Sequence, residues 1–205
     1  LYFNLEAFLD LVNEVFPNVR QETVNQAKQA FSQFIKNPDN YLDLLDFSEC
    51  DFLKQGDVFT DLPFYFVNSE GKMSMFKSDG ILISNTCDSS RNDYLQFAPF
   101  KLFDELVSTF EVDSKKINYI NDLKKNTITQ YFYLHQHGFD NGAFNLTLIN
   151  SLSRNRFMEN YYDKKITKKT SLNGVGYYVF LIKLSVFLMR NENFIETNRH
   201  VPTTY

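Results

Sequence analysis

The chain predicts an α+β fold: an N-terminal helical segment, a small and strongly curved antiparallel β-barrel with helical insertions, and a C-terminal helix. Three observations carry that prediction. Apolar residues recur at helical spacing up to about residue 50, the period changes to two from Gly56 onward, and Tyr177 to Met189 is apolar around most of a helical circumference. With 205 residues, 43% of them hydrophobic and 22% charged, the chain has the makeup of one globular unit with room for a small second one. Its core is expected to be aromatic, because 22 Phe and 12 Tyr stand beside no Trp.

In chain order, Leu5, Phe8, Leu9, Val12, Val15 and Phe16 form one helical stripe, which Pro17 ends. Val24, Ala27, Phe31, Phe34 and Ile35 form a second between Gln21 and Ile35, stopped at Asn37-Pro38, and a short helix around Asn40 to Leu45 follows. These faces need covering, so residues 1–52 are read as a helical segment packed on the remainder or on a partner. From Gly56, the stretches GDVF, PFYFVN, KMSMF, GILISN, YLQFAPF, ITQYFYLHQ and AFNLTLIN read as successive short strands, with Ser69-Glu70-Gly71 and Asp140-Asn141-Gly142 supplying turns. The barrel is expected over residues 53–160, with helices at Lys101 to Phe110 and about Ser114 to Lys124 inserted at 101–124. Residues 161–205 then form a basic loop and a helix packed on the barrel.

Charge is unevenly placed. Residues 1–110 hold 8 Lys or Arg against 17 Asp or Glu, whereas residues 111–205 hold 13 against 8. Lys164, Lys165, Lys168 and Lys169 follow Tyr161 and Tyr162, a mixture that can hold phosphate and stack bases, although lysine doublets also serve as plain solvated surface or meet an acidic protein. Cys50 and Cys87 have neither zinc spacing nor the pattern of a disulfide framework, which favours a reducing, cytoplasmic setting. The N-terminal stretch lacks the basic start of a signal peptide, and Val175 to Met189 is short for a membrane span and interrupted by Lys183. No membrane, metal or cofactor is expected.

The loop between GILIS and YLQFAP gathers Asn85, Thr86, Cys87, Asp88 and Arg91 at a strand end, where a ligand can sit. A thiolate at Cys87 beside a base or cation is a candidate nucleophile. His135 and His137 lie on the expected strand YFYLHQH and are candidate partners for it. A small buried cysteine with Asp88 closing the turn is the competing reading. His135, Gln136 and His137 also suggest a metal pair, but only His200 remains as a further histidine and no carboxylate spacing completes a site.

Gly56-Asp57-Val58, then Gly80 to Asn85, Tyr94 to Pro99, and Phe144 to Ile149 leading into Ser151 to Phe157 together resemble the PemK and MazF toxins of bacterial toxin–antitoxin systems. The resemblance covers about residues 56–157. It implies an SH3-like barrel and metal-independent cleavage of single-stranded RNA, in a bacterial or phage toxin–antitoxin or defence setting. It also implies an antitoxin or other protein partner, and a homodimer. Where the family carries arginines, this chain carries Asn150 and Ser78-Asp79. Arg91, Arg154 and Arg156 are then the candidates for transition-state charge, with Asp88 or a histidine as base and Cys87 beside them. Asn85, Thr86, Arg156, Lys164, Lys165, Lys168 and Lys169 are the candidates for gripping RNA. The alternatives are a non-catalytic protein-interaction module and, more remotely, a Cys87-dependent hydrolase.

Overall fold

The computed structural model describes residues 44–189 apart from 49, 51, 136 and 137, together with positions 25 and 29, both helical. The helices expected at Leu5 to Phe16 and Gln21 to Ile35 otherwise lie outside the described residues, as do His137 and His200. The strands are β1 (Leu45–Asp46), β2 (Val58–Val67), β3 (Met73–Leu82), β4 (Tyr94–Leu102), β5 (Tyr131–Phe132), β6 (Gly142–Asn145), β7 (Asn150–Ser153) and β8 (Lys168–Leu172). The helices are α1 (Thr86–Ser89), α2 (Phe103–Leu106), α3 (Asp113–Lys124), α4 (Arg154–Tyr162) and α5 (Gly174–Met189).

All strand pairs are antiparallel, in the order β1-β8-β2-β3-β4-β6-β5, with β7 also paired to β4. The fold is therefore α+β on an antiparallel sheet. Among the described residues no strand pairing joins the two ends of that row, so backbone hydrogen bonds do not close the expected barrel. One side-chain bond does bridge part of the gap: the Tyr65 backbone N–H donates to Asn150 Oδ1, tying the outer half of β2 to β7.

Several short strands expected from the sequence are longer or shorter than their local pattern, each for an identifiable reason. GDVF and PFYFVN form one strand, because the interruption at Thr60-Asp61 is a β-bulge with Asp61 at φ 57° rather than an end. KMSMF and GILISN likewise merge into β3, where Gly80 leaves room for Leu62 and Phe64 to lie against the backbone. ITQYFYLHQ shrinks to two strand residues because the Asn126 side chain takes both backbone groups of Tyr133, receiving its N–H at 2.7 Å and donating to its carbonyl at 3.0 Å. AFNLTLIN breaks into β6 and β7, since Asn145 Oδ1 accepts from Thr147 N and starts a 3-10 turn at Leu146–Leu148. Lys101 and Leu102 stay in β4, which reduces the first expected insertion to the single turn of α2. Leu45, expected to end a helix, is instead in β1 and pairs with Leu172 of β8. The basic segment after residue 161 is thus partly a strand.

Alternation along the strands buries both sheet faces. Val58, Ile81 and Ala98 align across β2, β3 and β4 and pack with Phe132, Phe144 and Phe180 under α5. On the other face Phe59, Leu82 and Phe97 gather with Leu62, Phe64 and Leu95 around Phe157 of α4. Phe157 stacks on Phe97 at 5.2 Å and meets Phe59 edge-on at 5.0 Å, the offset and edge geometries that aromatic quadrupoles prefer. Covering both faces with helices explains why GILI reads as an unbroken apolar run.

Candidate functional site

Asn85 organises the loop that the sequence singles out. Its Oδ1 accepts from Cys87 N at 2.9 Å, and its carbonyl accepts from Ser89 N and Ser89 Oγ, so the residue caps α1. Thr86 Oγ1 accepts from Gln55 N at 3.0 Å and leaves its hydroxyl proton available. These bonds make a rigid turn out of what reads as a loop.

The two sides of that turn face different clefts. The first, about 820 Å³, is lined by Thr86, Ser89, Arg154, Lys164, Lys168 and Lys169, with Phe47, Phe52 and Tyr162 also on its walls. The second, about 670 Å³, is lined by Asn85, Asp88, Arg91, Asn92, Tyr94 and Gln96. Asp88 and Arg91 therefore share one cleft, while Arg154 opens onto the other. Cys87 and Arg156 line neither.

Arg154 and Arg156 are on α4, not on a strand. The chain turns at Ser153, where β7 ends, and Arg154 N donates to the Asp93 carbonyl at 2.8 Å. Arg154 Nε donates to the Ser89 carbonyl at 2.9 Å, which holds the guanidinium against α1, and its terminal nitrogens have no partner among the described residues. Arg156 is exposed and paired with Glu159 at 2.8 Å. Asn150, where the resemblance implies an arginine, accepts from Tyr65 N and donates to the Leu148 carbonyl.

The lysines differ as much from one another. Lys165 pairs with Asp163 at 2.8 Å on the surface and holds that carboxyl below its ordinary range. Lys169 meets Asp79 at 3.0 Å and lies 4.5 Å over the Phe139 ring. Lys164 turns the chain at φ 57° and has no carboxylate partner among the described residues. Lys168 reaches inward to Asp57, 3.0 Å away and fully buried.

Asp57 is the site residue that sequence reasoning missed as chemistry. Its Oδ1 accepts from Ser171 Oγ at 2.8 Å, and its Oδ2 accepts from Lys54 N at 2.9 Å and faces Lys168. Lys168 Nζ is enclosed and, despite that proximity, makes no hydrogen bond among the described residues. Gly56-Asp57-Val58 was visible as a motif, but its side-chain partners Lys168 and Ser171 lie more than a hundred positions downstream.

Cys87 is exposed and has no histidine or carboxylate partner among the described residues. Burial pushes the nearby Tyr177 phenol up from its ordinary value, with Tyr178 and Cys87 adding to the shift. His135 turns instead to Asp140, 3.2 Å away, and to the Tyr133 hydroxyl. Among the described residues no three metal-ligating side chains cluster, and no helix is long and apolar enough to cross a membrane. Comparison with protein-family models and with curated proteins finds no match to the chain.

Proposed function

We propose that this protein is a PemK/MazF-like member of a bacterial or phage toxin–antitoxin or defence system that grips single-stranded RNA in the first cleft, without a metal. The observation that carries this reading is the lining of that cleft. Arg154 and Lys164 have no carboxylate partners there among the described residues, and exposed Phe52 and Tyr162 offer ring surface beside them. Cations that follow a backbone and rings that stack on bases are the two requirements for binding a strand regardless of its sequence. The curl of β2, β3, β4 and β7 around Phe59, Leu82 and Phe97, with Asn150 tying β7 to β2, supports an SH3-like barrel.

Binding is favoured over cutting. Cleavage needs a base and a cation at one phosphate, and Asp88 with Arg91 lies across α1 from Arg154. The test is binding and cleavage of a mixed single-stranded RNA pool with EDTA present, using wild type, Phe52→Ala, Arg154→Ala and Arg91→Ala. The expected result is binding weakened in the first two variants, unchanged in the third, and no cleavage. Cleavage lost in Arg91→Ala would move the site to the second cleft. No binding by any form would reject the RNA reading.

One observation favours a second reading, a module that binds a protein such as an antitoxin or a second copy. The outer half of the β2–β3 hairpin displays Tyr65 opposite Met75 and Val67 opposite Met73, and these residues are 44%, 63%, 67% and 76% exposed in that order. Met73→Asp with Met75→Asp would abolish such an association and leave RNA binding intact. The Cys87-dependent hydrolase draws no support from the surroundings of that thiol.

A further inference from the structure

We propose that the floor of the first cleft is a subsite for a phosphate monoester, held by Lys168, Lys164 and Arg154. Where that monoester is the end of an RNA strand, the inference rests on the RNA reading above. The argument begins with unspent donors. Among the described residues Lys168 Nζ is enclosed with Asp57 as its only ion-pair partner and without a hydrogen bond, although an ammonium carries three donors. Asp57 is already served by Ser171 Oγ and Lys54 N, so it does not demand all of that lysine. Arg154 has Nε committed to Ser89 and, among the described residues, its terminal nitrogens uncommitted. Thr86 keeps a hydroxyl proton, because its oxygen accepts from Gln55 N.

Charge then selects the ligand. Of the four cations that line the cleft, Lys168 and Lys169 are paired with Asp57 and Asp79, which leaves Arg154 and Lys164 as two positive charges without a carboxylate partner among the described residues. Asp46 does not draw on those two charges through a direct ion pair; its carboxylate is taken by the Ser48 backbone N–H and hydroxyl, which hold it below the ordinary range. A monoester carries close to two negative charges and three acceptor oxygens, whereas a diester within a strand carries one charge. The monoester matches both the charge and the donor number.

The sources of such a group are the end of an RNA strand and a free mononucleotide, and one experiment separates them. Fluorescence anisotropy would compare the same single-stranded RNA with a 5′-phosphate, a 3′-phosphate and hydroxyl ends, with a nucleoside 5′-monophosphate as competitor. A terminal phosphate is expected to tighten binding about tenfold, the equivalent of one good charge-assisted contact. Lys164→Ala should remove most of that preference. The double variant Asp57→Asn, Lys168→Met should do the same while avoiding an unpaired buried charge, with its melting temperature as the folding check. Equal affinity for phosphate and hydroxyl ends, with no competition by the monophosphate, would overturn the subsite and leave RNA binding standing. Monophosphate binding without RNA binding would keep the subsite and reject the RNA reading.

Discussion

Asn150 shows how one side chain can hold two parts of the sheet together. Its amide receives the Tyr65 N–H on the free edge of β2 and donates to Leu148, so Asn150→Ala removes the acceptor for a backbone donor in the curl. The expected cost is about 1–2 kcal/mol, read as a lower urea midpoint at unchanged slope. Lys183 is a second such residue. It is buried in α5, and its Nζ donates to the carbonyls of Asn126 and Ile128 at 2.6 Å each. Burial pushes its ammonium down from 10.5 to about 7. Between those two values the unfolded chain binds more protons at this position than the folded one, so stability rises with pH across that window and is flat with respect to this group below it. Urea midpoints at pH 6.5, 8 and 9.5 should show wild type gaining on Lys183→Met. Parallel profiles would mean that the lysine keeps its ordinary affinity for the proton.

At the scale of elements, the two helices that cover the sheet are positioned by single close contacts. Gly176, in the first turn of α5, passes so near Leu44 that a Cβ would collide with the Leu44 carbonyl oxygen. Gly176→Ala should therefore destabilise by about 1–3 kcal/mol although alanine is the better helix former, and thermal melting checks it. α4 is anchored by Phe157, which lies between Phe59 and Phe97. Phe157→Ala should cost about 3–5 kcal/mol and, because Arg154 sits one turn earlier on the same helix, should weaken RNA binding as well. Helix α5 could be read from its apolar run, and Asn173, whose side chain accepts from Gly176 N, explains why it starts three residues ahead of the expected Tyr177. The strand lengths could not be read in that way. Asn126 and Asn145 end β5 and β6 with side-chain bonds that compete with the ladder, and composition does not reveal which asparagine will do so.

For the whole molecule, the decisive fact is that several of the basic residues around the cleft are paired within the fold. Arg156, Lys165, Lys168 and Lys169 all face carboxylates, and two of those partners, Asp57 and Asp79, belong to the acidic N-terminal half. RNA affinity should consequently depend on salt only modestly. With Arg154, Lys164 and Lys168 as the phosphate contacts, a plot of log affinity against log salt should have a slope of about −2 for single-stranded RNA. A slope near that expected for all the basic residues would show that the surface pairs open to receive the strand.

Local order explains what was legible in the chain. Period-two alternation fixes which strand residues face a core, a capped apolar run makes a helix, and Gly56, Gly71 and the turn at 140–142 punctuate them, so the α+β class and the polar turn between β3 and β4 follow from neighbours in sequence. The composition of the site does not. Whether Arg154 joins Asp88 or stands across α1 from it, and whether Lys168 is exposed or bound to Asp57, depends on contacts between residues far apart in the chain. Those pairings are set by how the sheet curls and where α4 packs on it, which is why only the tertiary structure divides one expected site into two clefts.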